Sequence, residues 1–271
     1  MHNYKLTIAY DGTGYCGWQT QTSAQTSPAS FEKRAQAPQF RTVQEEIERA
    51  LRKVLGEKIR LTGSGRTDSG VHAVAQIAHF KTKKSIPLQN LMKALNGVLG
   101  RDICIREAQE VSSDFHARFS ARRKIYRYCI MNTQDKPLFI RHGAAWVRHP
   151  LDVAAMRRAS RFLVGRHDFK SFQASDRTER KSVTSIGRIT VKSVTGPKDL
   201  PFIQEGKWIV IDVEGSGFLR SMVRNIVGTL LDVGKGKRTP QEMRSILKKK
   251  DRRFAGPCAS AAGLYLMDVL Y

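Results

Sequence analysis

The residue types best suited to chemistry crowd into one stretch, Leu61-Thr62-Gly63-Ser64-Gly65-Arg66-Thr67-Asp68-Ser69-Gly70-Val71-His72, which holds three glycines, one guanidinium and one carboxylate. Glycine permits positive φ and lets a ligand or another backbone come close. A phosphate cradle would end in Gly-Lys followed by Ser or Thr, and no such sequence occurs. A dinucleotide fingerprint fails as well, because after Gly63-Ser64-Gly65 the next glycine is Gly70 and a strand follows, not a long helix. What remains is Asp68 beside Arg66 on a tight loop. An isolated Asp in a glycine loop most simply caps its own turn through backbone N–H groups. The chemical alternative is a carboxylate nucleophile or general base. His72 and His116 read as hydrogen-bonded structural histidines, since neither belongs to a Ser, Cys or carboxylate arrangement.

Metal and redox chemistry find little support. Cys16, Cys104, Cys129 and Cys258 are far apart and form no Cys-x-x-Cys pair, so neither a zinc site nor a disulfide framework is expected. A zinc deaminase needs Pro-Cys-x-x-Cys, and Pro257-Cys258-Ala259-Ser260-Ala261 lacks the second thiol. No cofactor is expected.

The charge balance points to a polyanion. The 271 residues carry 47 Lys plus Arg against 24 Asp plus Glu, a net charge of +23. Basic residues run from Arg118 to Lys124, from Arg157 to Arg188 and from Lys235 to Arg253, so the charge belongs to folded segments and suggests a working face. A basic surface kept for solubility is the plainer reading. There is no leader-like N-terminus and no run of eighteen apolar residues, which gives the expectation of a cytoplasmic protein without a membrane partner.

The elements that must position the loop follow from periodicity. Tyr4 to Tyr10 alternates as a strand, and Asp11-Gly12-Thr13-Gly14 turns it. Residues 20 to 41 are polar and aperiodic, and read as a mobile insertion. Thr42-Val43-Gln44-Glu45 is a capping box, with Val43, Ile47, Ala50, Leu51 and Val54 on one helical face up to Gly56. Ile59 to Thr62 reads as a short strand, Val74 to Phe80 as another, then a helix opened by Pro87 and a strand from Ile103 to Glu107. Later come strands at Lys124 to Met131, Ile186 to Val194 and Trp208 to Val213. Helices are expected at Leu151 to Leu163, at Phe218 to Leu230 and at Pro240 to Lys249. The fold class expected is α+β: two related α/β halves, residues 1–115 with the catalytic loop and residues 116–271. Each half would have a mixed or antiparallel sheet with helices on one face, and the active-site cleft would lie between the halves. Strand, helix, strand, strand, helix, strand occurs loosely in both, without a residue-level repeat.

The string Gly65-Arg66-Thr67-Asp68-Ser69-Gly70-Val71-His72-Ala73 resembles the signature of the TruA family of tRNA pseudouridine synthases, Gly-Arg-Thr-Asp-x-Gly-Val-His-Ala. Further blocks resemble the same family in the same order. They are Tyr10 to Gln19, Asp114 to Ser120 with Lys124 to Tyr128, Gly217 to Gly228, and Ala262 to Leu266. The one departure is the insertion between the Gly-Trp-Gln block and the Val-Gln-Glu helix.

The resemblance implies an isomerase that turns uridine into pseudouridine in the anticodon stem-loop of tRNA, at positions 38, 39 and 40, with tRNA as partner and a homodimer as assembly. It implies Asp68 as the catalytic carboxylate and Tyr126 as the residue packed on the target base, a candidate to take the proton from the rejoined carbon. It further implies that Arg66 holds the target nucleotide out of its stack and that Arg224 partners Asp68. Read without it, Tyr126 is a strand aromatic of a core and Arg66 a phosphate clamp. Whether Asp68 attacks ribose, attacks base or abstracts a ribose proton stays open. So do a synthase for another RNA site and a non-catalytic RNA-binding protein. A DNA-binding protein would need a helix-turn-helix, zinc or basic-zipper pattern, which is absent.

Overall fold

The computed structural model describes residues 1–19, 41–174, 182–195 and 207–271. Residues 20–40, nearly all of the expected insertion, lie outside them. The chain divides into two compact units, Met1–Arg122 with Leu266–Tyr271, and Arg123–Tyr265. The sequence boundary near 115 rests on the loss of periodicity after Phe115. The division by packing falls seven residues later, and the chain's last strand returns to the first unit.

The first unit is built as β1 (His2–Tyr10), α1 (Val43–Leu55), β2 (Thr62–Gly63), β3 (His72–Thr82), α2 (Leu88–Val98) and β4 (Ile103–Glu110). Tyr4, Leu6, Ile8 and Tyr10 alternate along β1 and are 1, 0, 0 and 5% exposed, the period of a strand with one face in a core. β1 pairs antiparallel with β4 on one side and β3 on the other, and β2 pairs antiparallel with the far edge of β3. Thr42 caps α1 by accepting from Glu45 N, and Gly56 ends it at φ 68. α1 buries Val43, Ile47, Ala50, Leu51 and Leu55, while α2 buries Leu91 and Leu95. The helices touch each other, which puts both on one face of the sheet.

One expected strand is shorter than its sequence suggests. Ile59 and Leu61 are buried, yet β2 holds only Thr62 and Gly63. The reason lies in α1: Leu61 N donates to Glu48 Oε1 at 2.9 Å, and Leu61 O accepts from Gln44 Nε2 at 3.0 Å. Helix side chains thus take the backbone groups that a strand neighbour would have used.

The second unit contains β5 (Arg123–Asn132), β6 (Ala145–Trp146), α3 (Val153–Ser160), β7 (Gly165–Asp168), β8 (Val183–Thr195), β9 (Lys207–Gly215), α4 (Met222–Gly234) and α5 (Glu242–Lys249), and β10 (Leu264–Leu270) begins there. β5 pairs antiparallel with β9, β9 with β8 and β8 with β7, while β6 runs parallel to β5, so this sheet is mixed. α3 packs against both α4 and α5 on one face. The order β1-β3-β2 in the first unit is matched by β5-β9-β8 in the second. β1 pairs with β3 and β3 with β2, as β5 pairs with β9 and β9 with β8, while the short β6 and β7 are additional strands of the second unit. The two halves are related in topology, as the sequence leads one to expect, and the fold is α+β. No helix among the described residues is long and apolar enough to cross a membrane.

Candidate active site

The loop from Ser64 to Val71 joins β2 to β3, and the segment from Asp11 to Gln19 is wrapped around it. Gly12 sits so close that a Cβ there would lie 2.0 Å from Val71 O, and Gly17, at φ +95, would place one 2.5 Å from Thr67 O. A third glycine, Gly63, lies against the Trp18 indole at a distance that only a missing side chain allows. Trp18 N donates to Thr67 O at 3.2 Å, Gly70 N to Tyr15 O at 3.3 Å and Ser69 Oγ to Tyr15 O at 3.0 Å. The two sequence blocks, 50 residues apart, are therefore one object. The same segment also serves α1: Val43 N donates to Gly17 O and Gln44 N to Trp18 O, so first-turn donors with no partner inside the helix are satisfied by the loop's own wrapping.

Asp68 is half-buried on this loop, between buried Thr67 and exposed Ser69. Thr67 Oγ1 shares a buried 2.8 Å hydrogen bond with Tyr10 OH. Burial pushes the Tyr10 phenol strongly up, so it stays protonated and can donate. Val71 N closes a turn onto Asp68 O at 3.2 Å. On the other flank, Gln76, fully buried on β3, accepts from Ser64 Oγ at 2.6 Å and donates to Gly65 O at 3.0 Å. Arg66 is exposed, and its Nε donates to Gln19 Oε1 at 2.8 Å. His72 Nδ1 accepts from Gly12 N at 3.1 Å and lies 3.1 Å from Asp11 Oδ1, a carboxylate neighbour that the sequence did not lead one to expect because Asp11 is 61 residues away. Tyr10, Trp18 and Gln76 were not singled out as supports, because their partners are distant in sequence.

In the second unit Tyr126 lies on β5, 7% exposed, with Phe218 edge-on at a centroid distance of 5.0 Å and an interplanar angle of 83°. Phe218 is not on the helix face where its spacing put it. Ser221 takes a left-handed φ of 55 as N-cap, α4 starts only at Met222, and Phe218 in the preceding loop is released to pack on Tyr126.

Arg224 occupies the first turn of α4, where its Nε donates to Ala259 O at 2.8 Å and its own carbonyl accepts from Ala259 N at 3.1 Å. The segment around Ala259 is pressed onto α4: a Cβ on Gly228 would lie 1.6 Å from Pro257 O, and Gly256 N donates to Thr229 Oγ1 at 2.9 Å. Arg252 reaches Asn225 Oδ1 at 3.0 Å, so this strap is tied at both ends. Tyr128, on the same face of β5 as Tyr126, donates to Ser260 O at 2.8 Å. Its phenol is pushed up by burial, with the nearby Arg224 guanidinium acting the other way.

Asp68 and Arg66 thus share one loop of the first unit, and Tyr126, Phe218, Tyr128 and Arg224 share one region of the second. Among the described residues, no three His, Cys, Asp or Glu side chains cluster as metal ligands, and the four cysteines are unbridged.

Comparison with known proteins agrees with these blocks. The family model described as tRNA pseudouridine synthase matches residues 7–120 and 159–271. The chain is similar to tRNA pseudouridine synthase A of Caldicellulosiruptor bescii, at 44% identity over 271 residues and 100% of both chains. It is 42% identical to that of Acetivibrio thermocellus, again over 100% of both. The relative in Geobacillus kaustophilus is 42% identical over 268 residues, 98% of this chain and 93% of its own. Among solved structures, one titled as a Cbf5-Nop10-Gar1 complex overlaps 84% of this chain and 54% of that chain at 14% identity, with a TM-score of 0.29 that carries no argument. On the matched residues and the full-length identities, the chain belongs to the family of tRNA pseudouridine synthases, which are isomerases.

Proposed function

We propose that the chain isomerises uridine to pseudouridine in the anticodon stem-loop of tRNA, at positions 38, 39 and 40, working in the cytoplasm as a homodimer. The observation that carries the reading is the cradle of Asp68. A carboxylate on a loop fixed by three glycine contacts and a buried Tyr10–Thr67 bond is a group whose position is specified, which is what catalysis by orientation requires. The address and the assembly rest on the resemblance to the TruA family.

The reaction breaks the bond from ribose C1′ to base N1, turns the uracil and joins C1′ to C5. C5 loses its hydrogen and N1 gains one, so no redox partner or energy source enters the balance. Asp68 supplies the carboxylate, as nucleophile or as base. Tyr126 packs on the uracil and is the candidate to take the C5 proton, while Arg66 holds the extruded nucleotide out of its stack. Arg224 partners the Asp68 carboxylate. The surplus of Lys and Arg binds phosphates, so affinity falls with salt.

The test is tritium release from uridine C5 of an unmodified tRNA transcript, for wild type and Asp68→Asn, with transcripts in which positions 38, 39 and 40 are each changed to cytidine. Wild type should release tritium only from the uridines at those positions, and Asp68→Asn should lose at least about 10³-fold in rate. Release that persists in the triple-cytidine transcript would move the address elsewhere. A variant as fast as wild type would remove Asp68 from the chemistry.

A further inference from the structure

We propose that Phe119, with His116 beneath it and Arg118 beside it, is a stacking platform for an unpaired nucleobase of the RNA substrate, separate from the loop that carries Asp68. The inference rests on the reading that the chain binds tRNA. Phe119 is 76% exposed, about as much as Phe139 at 74%, and what distinguishes it is the set of contacts that holds its ring in place. It is not a loose side chain. His116 stacks on it with centroids 4.3 Å apart and planes at 30°, and His79 lies against the other side of His116 at 4.8 Å. His116 is stacked on Phe119, and His79, tilted at 58° to His116, connects that pair to the buried side of β3.

The turn beneath the ring is built with care. His116 Nδ1 accepts from Arg118 N at 3.2 Å and Phe119 N at 3.3 Å, which fixes the imidazole plane and hence the ring stacked on it. Ser120 N donates to His116 O at 2.9 Å, and His116 N to Ser120 Oγ at 3.1 Å. Ala117, fully buried, donates its N–H to His79 Nδ1 at 3.1 Å and accepts from Tyr271 OH at 2.8 Å. Asn3 Nδ2 holds Phe115 O at 3.1 Å. The turn is thereby bolted to β1, to β3 and to the C-terminal residue, and each bond lies within the first unit.

The chemistry at the top of the stack selects the ligand. His116 stacks on the Phe119 ring and the Arg118 guanidinium lies over it, 5.6 Å from the centroid, on an exposed side chain that can shift for an incoming base or share it as a second stacking plane. Arg122 is exposed three residues on, so the surroundings attract phosphate. Aromatic faces flanked by cations are how proteins hold single-stranded nucleotides, because every base has a π-face and stacking tolerates sequence. A base that is paired and stacked in a helix has no free face to offer, so the ligand is a loop or extruded nucleotide.

The experiment measures binding of an unmodified tRNA transcript across a series of salt concentrations for wild type, Phe119→Ala, Phe119→Leu and Phe119→Trp. Loss of one stacked base predicts that Ala and Leu weaken binding by about five- to 150-fold, while Trp stays near wild type. The slope of log affinity against log salt should not change, because no phosphate contact is lost. Unfolding midpoints should also hold, since the ring is exposed. Affinity of the Ala variant within twofold of wild type, full rescue by Leu, or an altered slope would overturn the platform. So would a fall in oligomer mass on sedimentation, which would make Phe119 a contact between copies, or a lowered unfolding midpoint, which would make it structural. Tritium release run in parallel keeps the two proposals apart. Wild type that binds the transcript but fails to modify positions 38 to 40 breaks the proposed address, while the Phe119 comparison still reads out.

Discussion

The cradle of Asp68 and the cradle of Arg224 solve the same problem by opposite means. Around Asp68 the loop is held largely through its backbone, by Trp18 N to Thr67 O, Gly70 N to Tyr15 O, and Gly12 and Gly17 against the carbonyls of Val71 and Thr67, with Tyr10 and Gln76 holding the neighbouring Thr67 and Ser64 side chains. Around Arg224 the grip is on the side chain itself, through Nε to Ala259 O. The difference follows from side-chain length. A carboxylate one methylene from the chain is placed once its backbone is placed. An arginine carries about 2 kcal/mol of rotamer entropy, and a fixed helix alone leaves its guanidinium unplaced. A short side chain is placed largely by a stiff loop, and a long one needs a strap that reaches its guanidinium. Both solutions use glycine, in one case loop on loop and in the other a strap on a helix.

Breaking the strap should cost the most stability. Gly228→Ala puts a methyl where Pro257 O already stands, 1.6 Å away, and the strap must leave α4 and take Ala259 with it. We expect a loss of about 3 kcal/mol, the upper range of overpacking, read as a lowered denaturant midpoint. An unchanged midpoint would show that the strap is not a clamp.

The loop should respond differently. Gly17→Ala forces a side chain onto a residue at φ +95 and against Thr67 O at 2.5 Å, at a cost of about 2 kcal/mol. Its larger effect should fall on turnover, since the backbone it displaces carries Asp68. A displacement near 1 Å predicts about a 100-fold loss in kcat per folded molecule. Should Gly17→Ala keep turnover per folded molecule within about twofold of wild type, placement of Asp68 through its backbone would be refuted.

What the sequence revealed, and what it hid, divides along the same physical line. The capping box at Thr42, the alternation of Tyr4 to Tyr10 and the glycine stop at Gly56 are local signals, and each stands in the structure as read. Leu61 was hidden, because whether it joins a strand depends on Gln44 and Glu48 reaching it from a helix. The two-residue β6 and four-residue β7 are too short for any period to show. In the candidate site, Arg66 and Asp68 stand together in one short string, whereas Tyr126 reads from its residues alone as a strand aromatic and joins the site only through the resemblance. That Tyr10 to Gln19 is the cradle of the same string, that Phe218 leaves the helix for Tyr126, and that Ala259 holds Arg224 are long-range facts. A single sequence carries no trace of them beyond the glycines, whose missing side chains mark where two backbones meet.

The smallest effect separates support from placement. Tyr128 is fully buried and bonds the strap through Ser260 O, but the link that orients Arg224 runs through Ala259. Tyr128→Phe deletes one hydroxyl and leaves a carbonyl short of a donor, which predicts a loss of about 1 kcal/mol in stability. Turnover should remain within about twofold, because neither the Arg224 Nε bond nor the packing of Tyr126 on Phe218 depends on that hydroxyl. Denaturant midpoints and tritium-release rates measured on the same preparation check both halves. A drop of about tenfold or more in rate, equal to 1.4 kcal/mol at the transition state, would mean that the phenol positions Arg224 and that the strap alone does not. The guanidinium would then be placed by two groups, Ala259 O and the Tyr128 phenol.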